Sequence, residues 1–258
     1  MSQVNPLIFR PQYSKSKFFC GLDNYSSILH QDIQIQRFIK FFFNKFNIHI
    51  SNCTIKRDNK FVFIYVYSYN FLTENRYKGS HNQENVGQLQ IKKWLQTGLF
   101  FITKTPICLV YKNSSNHKLL KKEVFTTRNF MVIKNKTINF KSKDFGLTSL
   151  FLIYDAFLIK NPDLISNYVA FLLEKNIKLW RIVHRMLTDQ IFFLYKKSNL
   201  KGFKLQIKGR LGGIKRTRRV IIKEGKIPSH TVQNTIKYSF TKSNTIHGVY
   251  GIKVWMYY

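Results

Sequence analysis

The stretch KGFKLQIKGRLGGIKRTRR (201–219) holds a strand candidate, two adjacent glycines and a dense run of cations. FKLQIKG (203–209) reads as a β-strand. Gly212-Gly213 then suggests a phosphate-cradling loop, but the spelling excludes the two common kinds. A P-loop places Gly-Lys-Ser/Thr after its spacer, whereas Gly213 precedes Ile214, and no G-x-G-x-x-G fingerprint is present. If RTRRV (216–220) is a strand, Arg216 and Arg218 share one face and Arg219 takes the other. A strand with cations on both faces has no room for a hydrophobic neighbour, and phosphates on several sides would satisfy it. The glycine pair fits as backbone that turns sharply and, without Cβ atoms, lets a polyanion approach closely. Lys208, Arg210, Gly212, Gly213, Lys215, Arg216, Arg218 and Arg219 therefore form the candidate polyanion-binding site.

The whole chain carries the same bias. Its 258 residues include 43 Lys and Arg against 12 Asp and Glu, a formal charge of +31. Self-repulsion of that size opposes compaction, which points to a compensating polyanion, most commonly nucleic acid. With 44% hydrophobic and 16% aromatic residues, the chain is a folded basic protein and not a disordered tail. It is long enough for two domains. The most apolar stretches, LTSLFLIYDAFLI (147–159) and LFFITKTPICLVY (99–111), are interrupted by Asp155 and Lys104. Neither supplies the roughly 18–20 uninterrupted apolar residues of a membrane span, so none is expected. The start MSQVNPLIFRPQ has no apolar signal core and is not an Arg/Ser-rich leader. The excess of Phe, Ile, Lys, Asn and Tyr matches the coding bias of an AT-rich organellar or parasite genome.

Cys20, Cys53 and Cys108 make no C-x-x-C pair, so no zinc or other metal site is expected, and their odd number argues against a disulfide framework. They read as packed thiols. An enzyme would need a convergent set of acids, bases or nucleophiles, and the few carboxylates are scattered. Asp163 reads as a helix-start residue and Glu224 as a turn residue, while His230 and His247 flank the last two strands. Neither catalysis nor a cofactor is expected.

HQDIQIQRFIKFFFNKFN (30–47) places Ile33, Ile35, Phe38, Ile39, Phe42 and Phe46 near helical spacing. HISNCTIKR (49–57) and KFVFIYVYSY (60–69) follow as strands joined by a turn at Asp58-Asn59. After a polar stretch (75–85) come a short helix, GQLQIKKWLQ (87–96), and a strand, PICLVYK (106–112). Helix, strand, strand, loop, helix, strand is the outline of a small α+β RNA-binding module of the KH type. Asn161-Pro162-Asp163 starts a helix, with Asn161 as N-cap and Pro162 at the first helical position. A second helix is expected from Ile177 to about Tyr195, its apolar side formed by Leu179, Ile182, Val183, Met186 and Leu187. Lys178, Arg181 and Arg185 recur on the other side with His184 beside them. RTRRVIIKEGK (216–226), NTIKYSF (234–240) and GVYGIKVWMYY (248–258) complete a set of four C-terminal strands. In the last, Tyr250, Ile252, Val254 and Met256 alternate onto a core face, while Lys253 and Trp255 point away, Trp255 as a partly covered platform.

KGFKLQIKGRLGGIKRTRR, EGKIPSHT (224–231) and HGVYGIKVWMYY (247–258), in that order and spacing, resemble the C-terminal domain of the ribosomal protein S3 family. The resemblance continues upstream into LLEKNIKLWRIVHRML (172–187). More loosely, Asn5-Pro6, Phe9-Arg10, NYSSILHQDIQIQRFI (24–39) and ISNCTIKR (50–57) are similar to the family's opening and its KH helix and strand. Where bacterial members carry a nucleotide-clamping G-x-x-G loop, this chain reads FLTENRYKGSHNQENVG (71–87), so no KH nucleotide site is carried over. Eroded KH loops and insertions mark organellar members.

The fold implied is α+β: a degenerate KH-like N-terminal domain followed by a two-layer α/β C-terminal domain. The boundaries are an extension at 1–30, a KH-like domain at 31–112, an insertion or linker at 113–160 and the C-terminal domain at 161–258. The resemblance implies a structural constituent of the small ribosomal subunit, of mitochondrial type and located in the mitochondrial matrix. Its implied partners are small-subunit rRNA, mRNA and the tenth and fourteenth small-subunit proteins. The polyanion site becomes an rRNA site. On the helix matching Ile177–Leu187 the family's mRNA-channel positions fall on Trp180, Arg181 and His184. Trp180 lacks the family's charge and Lys178 and Arg185 compensate, so Lys178, Arg181, His184 and Arg185 form the implied mRNA-entry group. The rival reading is a free-standing KH-type RNA regulator, which would keep its G-x-x-G and would not need the tail domain.

Overall fold

In the computed structural model the described residues are 6, 16–17, 22–45, 49–58, 61–69, 81–113, 152–175 and 180–258. The chain forms two compact units, one of residues 14–116 and one of residues 1–13 with 117–258.

In the first unit the elements are β1 (Ser16–Lys17), α1 (Leu22–Lys45), β2 (His49–Arg57), β3 (Val62–Tyr69), α2 (His81–Thr103) and β4 (Ile107–Asn113). They follow the order read from the sequence. The four-stranded sheet runs β1-β2-β3-β4, with β2 and β3 antiparallel and β3 and β4 parallel. Ile35, Ile39 and Phe43, one helical turn apart on α1, are buried with Leu95 and Leu99 of α2 against Ile55, Ile64 and Val66 of the sheet. The two helices come close at Gly98, where a Cβ would meet the Phe38 ring at 2.6 Å. Arg57 at the end of β2 donates from Nε to Oδ1 of the buried Asp32 at 2.8 Å, tying α1 to the sheet. The expected helix boundaries move, and α2 begins at His81 and not at Gly87. α1 begins at Leu22 and not at residue 30, because its first turns are exposed and carry no apolar period. α2 extends to Thr103, where Lys104 adopts a left-handed φ of 54° and donates its amide to Phe100 at 2.8 Å, ending the helix. Cys53 is a packed thiol as expected, but Cys108 is exposed. Of the stretch lacking G-x-x-G (71–87), residues 71–80 lie outside the described residues, and of 81–87 only the helical backbone is described.

The second unit places helices on one face of a second sheet. They are α3 (152–159), α4 (Pro162–Lys175) and α5 (Trp180–Lys197). The strands are β5 (Gly202–Gly209), β6 (Arg218–Gly225), β7 (Ile236–Thr245) and β8 (Gly248–Tyr257), ordered β6-β5-β8-β7 and antiparallel at every described pairing. α3 corrects the expected insertion at 113–160. Leu152, Ile153, Ala156 and Phe157 are buried, and the Phe157 ring meets Phe203 of β5 edge-on with centroids 5.3 Å apart. The helix belongs to the C-terminal core, and residues 114–151 of that expected insertion lie outside the described residues. α3 ends at Lys160 in a left-handed φ of 57°, and the Asn161 side-chain oxygen then accepts from the Asp163 amide at 3.1 Å to cap α4 as expected.

α4 is buried almost all round and lies on β7 through a seam of small residues. Thr241 and Ser243 donate from their hydroxyls to the Ser166 and Ala170 carbonyls at 3.0 and 3.1 Å, and the Ser166 and Ser239 hydroxyls bond each other. The Asn244 amide donates to Glu174 Oε1 at 3.1 Å. β7 thus runs to Thr245, beyond the expected end at residue 240. On the same inner face, Phe203, Leu205 and Ile207 of β5 pair with Met256, Val254 and Ile252 of β8.

A Cβ on Gly209 would fall 1.9 Å from the ring of Tyr250, which is itself buried with its hydroxyl donating to the Arg210 carbonyl at 2.8 Å. Overpacking of this kind costs about 1–3 kcal/mol. Gly209→Ala should therefore lower the stability of the C-terminal unit by at least that amount in chemical denaturation. A variant as stable as the parent would show that Tyr250 is free to move.

Candidate nucleic-acid interface

Because the helices cover only one face of the second sheet, the alternate residues of its strands lie on the other. Three rows cross this open face. Arg219, Lys208, Gly251 and Lys242 are neighbours in the first; Ile221, Gln206, Lys253 and Phe240 in the second; Lys223, Lys204, Trp255 and Tyr238 in the third. The rows hold cations and aromatic rings and no carboxylate. Lys204 Nζ lies 4.9 Å from the Trp255 ring centroid and Lys253 Nζ 5.9 Å from that of Phe240. Such interleaving suits a polyanion that also offers flat rings to stack. Trp255 is more deeply covered than expected, at 4% exposed, because Tyr238 packs on it at 5.3 Å and Lys204 lies over it. Burial, then the charges of Lys223 and Arg219, lower the pKa of Lys204 from its ordinary value. A bound anion would relieve that like-charge crowding.

The basic turn leads off one end of this face. Lys208, Arg210, Lys215, Arg216, Arg218 and Arg219 are all exposed, and among the described residues none forms an ion pair. Leu211–Gly213 make a single 3-10 turn in which the Gly213 amide donates to the Arg210 carbonyl at 3.1 Å, while Arg210 Nε donates to the Ile214 carbonyl at 3.3 Å. Gly212 and Gly213 adopt φ of 70° and 78°, left-handed values that cost a side-chain-bearing residue about 1–2 kcal/mol. A Cβ at Gly212 would meet nothing within 4 Å, so the backbone there is open; at Gly213 it would meet His247 at 3.1 Å. The turn conformation comes first in explaining the pair.

One premise is corrected. β6 begins at Arg218, so Arg216 lies before the strand, and β6 is the edge of its sheet. An edge strand borders a neighbour on one side only, so its charges can fan into solvent without unseating the core.

The second group is not brought together in the same way. Lys178 lies outside the described residues, and of Arg181 and Arg185 only the helical backbone of α5 is described. His184 is half-buried, and burial lowers its pKa from the ordinary 6.5. Its place on the helix explains this: His184 lies seven residues before Ile191, which is buried with Leu187 and Leu194, so it borders the apolar stripe. The imidazole is therefore neutral at pH 7 and adds no charge to the basic side.

Lys204, Lys223, Phe240 and Lys242 join the sequence-predicted Lys208 and Arg219 on this face. Their signal was the same period of two that marked Lys253 and Trp255, extended to the neighbouring strands.

Comparison with known proteins agrees with this geometry. The family described as ribosomal protein S3, C-terminal domain, matches residues 169–256, which span the second half of α4, all of α5 and the second sheet up to Met256. The chain is 27% identical over 261 residues to the small ribosomal subunit protein uS3c of Anthoceros angustus, covering 99% of this chain and 97% of that protein. It is 26% identical over 262 residues to that of Physcomitrium patens, with the same coverage of 99% and 97%. A uS3 protein of Microcystis aeruginosa is 34% identical over 97 residues, 38% of each chain. The full-length likeness and the C-terminal match, which coincides with the basic sheet and its glycine turn, support a member of the ribosomal protein S3 family.

Proposed function

We propose that this chain is a structural constituent of the small ribosomal subunit, held there by rRNA bound across the open face of the C-terminal sheet and the basic turn that leads from it. The observation that carries the reading is the coincidence of the family match with the exposed, unpaired cations Lys208, Arg210, Lys215, Arg216, Arg218 and Arg219. The related proteins are small ribosomal subunit proteins by name. The role needs no catalysis, metal or cofactor. Among the described residues no group of His, Cys, Asp and Glu could hold a metal ion, and no helix is long and apolar enough to cross a membrane. The tenth and fourteenth small-subunit proteins are the proposed protein neighbours. A mitochondrial ribosome is the proposed setting, supported by the AT-type composition with its 24 Phe.

α5 is proposed to face mRNA where it enters the subunit. The support is the recurrence of Arg181 and Arg185 on the side of the helix away from Leu187 and Leu194. A free-standing RNA regulator is the competing reading, and sedimentation separates the two: a ribosomal component co-migrates with the small subunit in high salt, whereas a regulator is washed off.

The exposed cations set the expected salt response. Neutralising about six phosphates releases their counterions, so affinity for an rRNA fragment should fall by about a thousandfold between roughly 50 and 200 mM salt. A nearly flat response, read by filter binding or anisotropy, would remove the polyanion argument.

Phosphate contacts from α5 would be sequence-independent and individually worth about 1 kcal/mol or less. Replacing Arg181 and Arg185 together by Gln should leave subunit assembly intact but weaken mRNA retention at initiation and lower crosslinking of downstream mRNA to this helix. Adding His184→Gln should change nothing further at neutral pH. Burial lowers the His184 pKa, so the imidazole gains its charge only below about pH 6.5. Normal initiation on structured messages by the double variant, with no crosslink to α5, would remove mRNA from the proposal.

A further inference from the structure

Within the open face of the C-terminal sheet lies a groove of about 530 Å3, lined among others by Gln206, Lys208, Arg219, Phe240, Gly251 and Lys253. Volumes of about 300–1,000 Å3 are those of sites that enclose small molecules. Its chemistry is sorted by position. Lys208 and Arg219 are paired across β5 and β6 at one side, and Lys253 stands between Gln206 and Phe240 on the next row. Phe240 is 46% exposed, with Lys253 Nζ 5.9 Å from its ring centroid. Gly251, between Lys208 and Lys242, adds no side chain, so the floor beside that ring is bare backbone.

Gln206 is the unusual member. It is 4% exposed, and its amide oxygen has no hydrogen-bond partner. A buried acceptor left unmade costs about 1–3 kcal/mol, and such groups are rare unless something completes them. Apolar Leu or Val would fit a strand facing only lysine stems; an amide here calls for a donor. A carboxylate satisfies the cations but brings no donor to the amide, and inorganic phosphate can donate an O–H but offers no flat ring to Phe240. A nucleotide brings both: phosphates on either side of a flat base whose edge carries N–H donors.

We infer that this groove seats one unpaired nucleotide of the bound RNA, its base stacked on Phe240 with an edge N–H donating to Gln206 Oε1, and its flanking phosphates held by Lys208, Arg219 and Lys253. The inference rests on the proposed rRNA-binding role and adds to it that the sheet grips a single-stranded or bulged position and not only a duplex backbone. Gln206 and the bare floor at Gly251 would then be positioning elements distinct from the cations that supply general affinity.

The test uses the full chain and two RNA hairpins that differ only by one unpaired bulged nucleotide, compared by anisotropy at about 0.15 M salt. The parent should prefer the bulged hairpin by about tenfold or more, as expected for one stacked base. Gln206→Leu removes the acceptor and keeps the bulk. Gly251→Val fills the floor, where a Cβ meets only the Phe240 ring edge at an ordinary 3.6 Å, so the sheet can house it. Each variant, with unaltered near-ultraviolet circular dichroism, should lose the preference. Ultraviolet crosslinking of the parent to the bulged hairpin should also map to Phe240, a readout independent of any variant. Equal affinity of the parent for both hairpins overturns the inference while leaving the rRNA-binding role standing. A preference that survives in both variants, or displacement of the bulged hairpin by an acidic peptide of similar affinity, also overturns it. Failure of the parent to bind either hairpin overturns both the inference and the role beneath it.

Discussion

The seam between α4 and β7 decides which way the C-terminal sheet faces. Ser166, Ala170 and Glu174 stand one turn apart on α4, and Ser239, Thr241 and Ser243 stand two residues apart on β7. The two spacings nearly coincide in length, so hydroxyl after hydroxyl reaches a helix group, through bonds from Thr241 to the Ser166 carbonyl and from Ser243 to the Ala170 carbonyl. Small side chains let the helix approach closely, and their hydrogen bonds fulfil the polar groups that this approach buries. With one face fixed inward, β5 and β8 follow through their ladders. Phe203, Leu205, Ile207, Ile252, Val254 and Met256 are held under the helices.

The open face is the consequence. Residues between the buried ones have nowhere else to point, so Lys204, Lys208, Lys253 and their cross-strand neighbours collect into one basic surface without any local signal for clustering. Such a surface is self-repelling in isolation, and after burial the charges of Lys223 and Arg219 add to the lowering of the Lys204 pKa. The fold tolerates it because the inner face carries the packing, and a polyanion bound on the outer face, as proposed, would turn the repulsion into affinity. The edge position of β6 extends the same logic to Arg218 and Arg219, and the left-handed glycines turn the chain from the sheet into the basic loop without a helix or strand to carry it.

In the N-terminal unit the physical problem is different. Its sheet is built of antiparallel and parallel pairs around a helical pair brought close at Gly98, and its apolar core is conventional. The ion pair of Arg57 with the buried Asp32 ties α1 to the end of β2. Breaking it by removing either partner would leave the other charge buried, which is why such pairs fix a register even when they add little net stability.

The order of the elements, the four C-terminal strands, the Asn161 cap and the core face of β8 were all readable from the chain, because each rests on local periodicity or on a capping side chain. The basic run with its glycine pair was readable too, along with the family it resembles. Where the reading fell short, the determining partner was distant in sequence. The polar end of β7, TKSNT, gives no hydrophobic period, yet it is strand because its hydroxyls meet α4. The helix at 152–159 is apolar on too many sides to show a face, and only Phe203 and the surrounding core give it a place. RTRRV seemed to need phosphates on both faces until the sheet order made β6 an edge. His184 was grouped with the arginines although Ile191 lies seven residues on, and the packing of that stripe set its half-buried, neutral state. Charge, period and caps were thus determined along the chain itself. Which face a period turns to water, which strand ends at an edge and which charges meet were decided only when distant segments packed, since those depend on neighbours that no local window contains.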